Sequence, residues 1–226
     1  TALKDGKATE KTYQEEYKLV GYFGRINYNY QGKYYLSASI RHEGSSKFGA
    51  DHKWGTFPAV SIGWNLKEES FLKNVNFLSF LKLRAGYGIT GTIPGNPYLS
   101  LNTLDLGGYG YYGGQWTTLL RASSNPNPDL RWEKKKETNI GLDFAFFNDR
   151  ISGSIDWYNR DTDDLIWDYT VSVPPYVKNT ITANAGSIRN RGLEVSLNFI
   201  PVKTKSFTWD TGINFSTNTN ELVSLS

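Results

Sequence analysis

Cysteine and methionine are both absent from the 226 residues, and only two histidines occur, His42 and His52. Without thiols, a disulfide framework and every thiolate metal site are excluded. Without a methionine the chain cannot open at its own start codon, and no basic-then-apolar leader begins it, so a mature, cut or internal stretch is expected. Long apolar runs are missing too: nothing approaches the ~20 residues of a membrane helix, which excludes a helical membrane protein. Charge of one sign is scarce. The formal net charge of +3 is spread along the chain and gives nucleic-acid binding little support.

What the chain does have is aromatics, 15% of its residues, and a period of two. From Tyr17 to Tyr30, Tyr22, Gly24, Ile26, Tyr28 and Tyr30 share one face and Phe23, Arg25, Asn27 and Asn29 the other. After the turn Gln31 to Lys33, Tyr34, Leu36, Ala38 and Ile40 oppose Tyr35, Ser37, Ser39 and Arg41. The same alternation marks Phe57 to Asn65, Leu81 to Thr90, Thr138 to Phe146, Ile151 to Trp157, Leu193 to Phe199 and Phe207 to Phe215. These are about eight strands of about ten residues, the length a tilted strand needs to cross hydrocarbon. The expected fold is all-β: an antiparallel transmembrane β-barrel segment whose apolar faces meet lipid. Alternation alone is equally compatible with a soluble β-sandwich.

The connections alternate in length. Gln31 to Lys33, Asn148 to Arg150 and Pro201 to Ser206 are short, Lys67 to Ser79 is of medium length, and about Glu43 to Trp54, Gly91 to Arg131 and Asp161 to Arg191 are long. In outer-membrane barrels short turns face the periplasm and long loops face outward. On that rule the first strand starts outside and the last ends outside, where a complete barrel would have both termini periplasmic. The expectation is a wedge of about eight strands from a larger barrel, with a small closed barrel as the alternative.

Six stretches in this order resemble the C-terminal barrel region of SusC/RagA-type TonB-dependent outer-membrane transporters. They are YFGRINYNY (Tyr22 to Tyr30), KYYLSASIRHEGSSKFG (Lys33 to Gly49), WGTFPAVSIGWNL (Trp54 to Leu66), LKLRAGYGITG (Leu81 to Gly91), NPDLRWEKKKETNIGLDF (Asn127 to Phe144) and SIRNRGLEVSL (Ser187 to Leu197). One departure is Glu43, where the family pattern has Asp in Arg-x-Asp-Gly-Ser-Ser. The resemblance implies that residues 1–226 are part of one TonB-dependent receptor barrel domain, the plug and the remaining strands lying outside this sequence. It further implies a Gram-negative outer-membrane location and TonB-dependent import of oligosaccharides or peptides. The implied partners are a SusD-like surface lipoprotein, TonB acting through the plug, and outer-membrane lipid. No enzyme activity and no cofactor are implied. The rival functions are anchoring or adhesion by a small barrel, and carbohydrate binding or hydrolysis by a soluble all-β domain.

Several groupings invite chemistry. GYGITG (Gly86 to Gly91) and GYGYYG (Gly108 to Gly113) spell G-x-G-x-x-G, but neither leads into a helix whose N-terminus could take a pyrophosphate. His42, Ser45, Ser46 and Asp51 lie close in sequence in what reads as a polar outer loop, without a nucleophile elbow, and His42 with His52 matches no metal-ligand spacing. Asp161, Asp163 and Asp164 lack the glycine turn and distal Glu of a calcium loop and read as a solvated strand end facing basic neighbours. The contact surface expected for substrate or partner is the Gly-rich loop with Tyr109, Tyr111, Tyr112 and Trp116, whose rings offer apolar area at low entropic cost. Arg25, Arg41, Lys82, Arg84, Asp143, Asp156, Glu194 and Asp210 are expected to face the lumen, pairing with one another or with a plug.

Overall fold

The computed structural model describes residues 2–4, 7–9 and 14–225. A short hairpin, β1 (Ala2–Lys4) and β2 (Lys7–Thr9), precedes the main sheet. That sheet has eight strands: β3 (Leu19–Tyr30), β4 (Tyr34–Ser45), β5 (Trp54–Asn65), β6 (Leu78–Thr92), β9 (Glu133–Phe146), β10 (Ile151–Asp163), β13 (Ser187–Lys203) and β14 (Thr208–Ser224). Two further hairpins stand in the long loops, β7 (Leu104–Tyr112) with β8 (Gln115–Ala122), and β11 (Ile166–Thr170) with β12 (Thr180–Asn184). The main sheet is an antiparallel meander in which every strand pairs with its sequence neighbours within the sheet. β3 and β14 are its two edges, so these strands do not close on themselves and the small closed barrel is overturned.

Register carries the alternation across the whole sheet. Tyr30, Tyr34, Trp64, Leu83, Leu142, Ile155, Val195 and Phe215 pair in turn along one ladder row, all on one face. That face is uncovered: Ile26 is 73% exposed, Ile62 58% and Ile213 54%. A soluble β-domain would bury such a face against a second layer, whereas here it lies bare across eight strands, as contact with lipid requires. The soluble alternative fails on this point.

The apolar belt crosses the ladder obliquely. On β3 it runs from Tyr22 to Tyr30, centred on Ile26, but the row through Ile26 reaches Asn159, Arg191 and Thr219 on the far strands. On β14 the belt lies about seven residues lower, from Trp209 to Phe215, which at ~3.4 Å per residue and ~4.8 Å per strand is a tilt of about 35°. Membrane barrels tilt by this amount because closure staggers the register.

Aromatic rings frame the belt on β3 to β5. On the periplasmic side Tyr34 stacks between Tyr30 and Trp64, with centroids 6.4 and 6.3 Å away. On the outer side Trp54 stacks with His42 at 4.8 Å and with Tyr22 at 6.3 Å. Tyr22 and Tyr30 are eight residues apart, about 22 Å along the membrane normal at that tilt, close to the ~25 Å apolar band between two girdles. His42 is therefore a girdle residue within β4, not a loop residue.

The turns follow residue chemistry. Gln31 and Gly32 have φ of 53° and 68°, and Asn29 Oδ1 accepts from the Gly32 amide at 3.0 Å. Phe147, Asn148 and Asp149 all take positive φ. Asn and Asp tolerate that region. Phe147 does not ordinarily do so, and it is held by its amide donating to Phe77 O at 2.8 Å and by its ring against Phe77 and Phe146.

Candidate functional site

Two regions carry the polar chemistry: the face opposite the apolar belt, and the layer of outer loops. On the polar face Arg84 is the centre. Its Nε and Nη2 donate to the two Asp143 oxygens at 2.7 and 2.8 Å, and Nη2 also donates to Asp156 at 3.0 Å. Gly141 lies between these groups; a Cβ there would come within 2.8 Å of Arg84 Cζ, so the fork fits because that residue is glycine. Glu194 stands directly opposite Asp156 in the ladder, a like-charge pair that Arg84 offsets. Lys82 Nζ lies 4.5 Å from the Tyr35 ring centroid and Arg25 sits 5.3 Å over Phe23. Arg41 pairs at 2.5 Å with Glu43, whose side chain is 10% exposed. Asp210 is exposed near the periplasmic end of β14. Beside Lys82 and Arg84 a shallow hollow of about 370 Å³ is lined by Asn27, Ser37, Ser61, Gly86 and Asn139. These small polar residues are what a water-filled surface accepts.

At the periplasmic turns a single carboxylate gathers three donors. Tyr34 OH and Trp64 Nε1 donate to Glu69 Oε1 at 2.6 and 3.1 Å, and Lys33 Nζ to Oε2 at 3.2 Å. The Tyr34 bond foremost, then those from Trp64 and Lys33, hold the Glu69 carboxyl below the usual carboxylate range.

The outer loops rest on a compact core that was not legible as such in the sequence. Phe48, Phe57, Leu130 and Trp132 are buried together where β5 and β6 part, since their pairing ends at Ala59 and Gly88. Trp132 packs 4.9 Å from Phe48 and 5.1 Å from Phe57, and its indole N–H donates to Lys53 O at 3.0 Å. Lys47, buried, donates to the carbonyls of Pro94 and Gly95 at 2.9 and 2.6 Å. Asn125, Asn127 and Asn184 bond backbone groups across to the neighbouring strip, tying residues 125–131 to β12 and its approach. A Phe beside a Lys and a Trp between charged neighbours were the signals available in SSKF and LRWE.

The loop with Tyr109, Tyr111, Tyr112 and Trp116 is a regular hairpin rather than an irregular Gly-rich loop. Its rings are 74%, 66%, 84% and 71% exposed, and Tyr111 meets Trp116 edge-on at 5.5 Å. Tyr109, Tyr111 and Trp116 share one face with Leu104, Leu106 and Leu120. Gly113 and Gly114 take φ of 58° and 83° at its tip.

The other groupings do not assemble. His42 bonds Thr56 Oγ1 at 2.9 Å, Ser45 is buried at the end of β4, and Ser46 Oγ accepts from the Lys18 amide at 2.8 Å, while Asp51 and His52 sit in a short 3₁₀ turn. Asp161, Asp163 and Asp164 each take a separate base: Arg189 at 2.6 Å, Lys136 at 2.7 Å and Arg131 at 2.7 Å. Neither G-x-G-x-x-G stretch precedes a helix; the first lies in β6 and the second runs from β7 into the hairpin tip.

Comparison with known proteins fits this geometry. Residues 3–224 match the family model described as TonB dependent receptor-like, beta-barrel. The chain is 43% identical over 228 residues to TonB-dependent receptor SusC of Bacteroides thetaiotaomicron, covering 98% of this chain and 22% of that protein. It is 39% identical to TonB-dependent receptor P39 of Formosa agariphila, covering 96% and 20%. Among solved structures, the RagAB peptide importer in its closed-closed state superposes with a TM-score of 0.83 at 29% identity, covering 91% of this chain and 22% of that one. The siderophore receptor PirA of Acinetobacter baumannii shares the fold at a TM-score of 0.58 and 17% identity, covering 90% and 28%. The chain spans about a fifth of the length of the curated relatives it matches.

Proposed function

The chain belongs to the TonB-dependent receptor-like β-barrel family and is an outer-membrane segment of a Gram-negative bacterium, and from that premise we propose that it forms part of the wall and outer loops of an importer. The whole transporter takes up oligosaccharides or peptides by TonB-dependent movement of a plug, with a SusD-like surface lipoprotein closing over the loops. Residues 1–226 then belong to one barrel domain, with plug and further strands supplied by the rest of the protein. The observation that carries this reading is the tilted apolar belt on one face, framed by Tyr22, Trp54, Tyr34 and Trp64, with a hydrophilic opposite face. Similarity to the TonB-dependent receptor SusC and to the RagAB peptide importer supports the energy source and the kind of cargo.

Within that reading, Arg25, Arg41, Lys82, Arg84, Asp143, Asp156, Glu194 and Asp210 line the lumen or contact the plug. Tyr109, Tyr111, Tyr112 and Trp116 meet cargo or the lipoprotein. No bond in the cargo changes; transport rests on differential affinity between two states of plug and lid. The test is uptake of labelled oligosaccharides and peptides by cells carrying the full-length protein, with and without TonB. Loss of uptake without TonB, together with a heat-shifted outer-membrane band several times the 25.5 kDa of this chain, is expected. Uptake that persists unchanged without TonB would overturn the importer.

A further inference from the structure

Basic residues crowd the outer ends of β9, β10 and β13, above the apolar belt, and most of them have partners. Lys135 pairs with Glu133, Lys136 with Asp163, Arg160 with Glu137 and Arg189 with Asp161. Lys134 and Arg191 are exposed and form no ion pair among the described residues. We propose that Arg191, with Lys134 further out, binds the phosphorylated headgroup of a lipid in the outer leaflet. This assignment rests on the outward direction of the long loops in the importer reading and is independent of the cargo.

Register fixes the face on which the two cations stand. Arg191 pairs with Asn159 and Thr219, and its row runs through Thr138, Tyr87, Val60 and Ala38 to Ile26, on the side that meets lipid. Two residues further down the strand, on the same side, Leu193 pairs with Trp157 inside the belt. Lys134 shares parity with Thr138 and Ile140 on β9, so it faces lipid as well. The partnered Lys135 and Arg160 share parity with Asp143 and Asp156 on the polar face.

Depth follows from the tilt. The belt centre descends about one residue per strand from Ile26, reaching about Leu142 on β9 and about Leu197 on β13. Arg191 is then about six residues above the centre and Lys134 about eight, or ~17 and ~22 Å from the midplane at ~3.4 Å per residue and a tilt of about 35°. Headgroups occupy the layer from ~15 to ~22 Å. Arg191 thus stands within that layer and Lys134 at its outer margin. On β3, β5 and β6 the same layer presents Val20, Thr56 and Gly91, so the free cations are confined to one side of the sheet.

The chemistry suits an anion. A phosphate accepts only, and a guanidinium offers it two parallel N–H donors in a planar fork. Thr219, across the ladder, adds a hydroxyl donor. The outer patch on the lipid side carries four cations, Lys134, Lys136, Arg189 and Arg191, against the three carboxylates Asp161, Asp163 and Glu221. Glu221 stands opposite Arg189, one step further out, and leaves Arg191 free. A charge beside hydrocarbon is costly without a counterion, and a long side chain reaching the phosphates supplies one.

The test uses the full-length protein purified in detergent and equilibrated with lipopolysaccharide, either intact or stripped of its phosphates. Lipid retained per protein is counted by native mass spectrometry. Intact lipid should be retained, Arg191→Gln should cut retention about fivefold or more, and Lys134→Gln should cut it less. Arg191→Lys should fall between wild type and Arg191→Gln, because it keeps the charge and loses the fork. Lys73→Gln, which removes a cation at the periplasmic turns, should change nothing. Unchanged heat-modifiability of the variants confirms that the barrel is intact. Equal retention by wild type and Arg191→Gln overturns the site, and so does equal retention of intact and phosphate-stripped lipid. TonB-dependent uptake is read separately: if it persists when the lipid site fails, the importer stands, and uptake without TonB alongside phosphate-dependent lipid retention overturns the importer and leaves the headgroup site.

Discussion

At the scale of single residues, the sheet keeps its charges in closed sets. Arg84 pairs with Asp143 and Asp156, so one cation serves two carboxylates, while Glu194 stands opposite Asp156 in the ladder. Arg84→Met keeps most of the stem packing and removes the charge, leaving the acidic groups without a counterion. Because the guanidinium is 34% exposed, the cost is put at about 1–3 kcal/mol rather than the larger figure for a fully buried pair. It should appear as a lower temperature for loss of the heat-modifiable band, and Asp143→Asn in the same background should recover part of it. Glu69 gives a pH dependence of definite sign. Its carboxyl titrates below its ordinary value of 4.5 because Tyr34, Trp64 and Lys33 bond the ionised form. Its stabilising effect is therefore complete above that value and is lost as the pH falls through the lower folded-state value. Melting midpoints of wild type and Glu69→Gln should differ at neutral pH and converge only once acid has protonated the folded-state carboxyl, below its lowered value; a gap that persists there would show that the charge is not what matters. The charged positions on the polar face were legible from the period of two, but their partners were not. Parity says which face a residue takes, while the Arg84 fork depends on the gap left by Gly141 on the next strand.

At the scale of elements, the outer loops divide into a part that is packed and a part that projects. The core around Trp132 closes the splay between β5 and β6, so Trp132→Ala opens a cavity and frees the Lys53 carbonyl at a local cost of about 3–5 kcal/mol. Limited proteolysis should then cut within residues 93–132 at protease levels that leave wild type intact. The β7–β8 hairpin behaves in the opposite way. Its apolar residues lie bare, with Leu104 and Leu106 each 65% exposed, so replacing Leu104–Ala122 by a short Gly-Ser link should leave heat-modifiability unchanged. If its exposed face meets cargo or lipoprotein, uptake falls; full uptake by the deletion variant would remove the hairpin from the function. All eight wall strands were legible because each carries enough apolar alternation inside the belt. Their outer extensions were not, because the signal stops where lipid stops: above it β9, β10 and β13 are paired by Lys136 with Asp163 and Arg189 with Asp161. The β7–β8 hairpin was hidden for a related reason, since it has no buried face to impose a pattern.

At the scale of the whole sheet, tilt separates two quantities that a sequence runs together: position along the ladder and depth in the membrane. Ile26 and Thr219 share a ladder row and a face, but the belt descends by about one residue per strand, which puts Ile26 at mid-membrane and Thr219 above it. An arginine facing lipid costs about 2–4 kcal/mol at the midplane and close to nothing beyond the interface. Ile26→Arg, Leu142→Arg and Ile213→Arg should each lower the unfolding free energy of the full-length protein in vesicles, read from urea titration, by an amount in that range. Thr219→Arg should leave it where it is, although it belongs to the same hydrogen-bonded row as Ile26. A belt that followed the ladder would instead make Thr219→Arg as costly as Ile26→Arg and would spare Ile213, since the row through Ile213 meets Leu81 and Phe144, six residues below the Ile26 row's Tyr87 and Thr138. Equal costs at positions 26 and 219 would therefore mean that the strands stand upright in the bilayer, and the two aromatic girdles would no longer mark its faces.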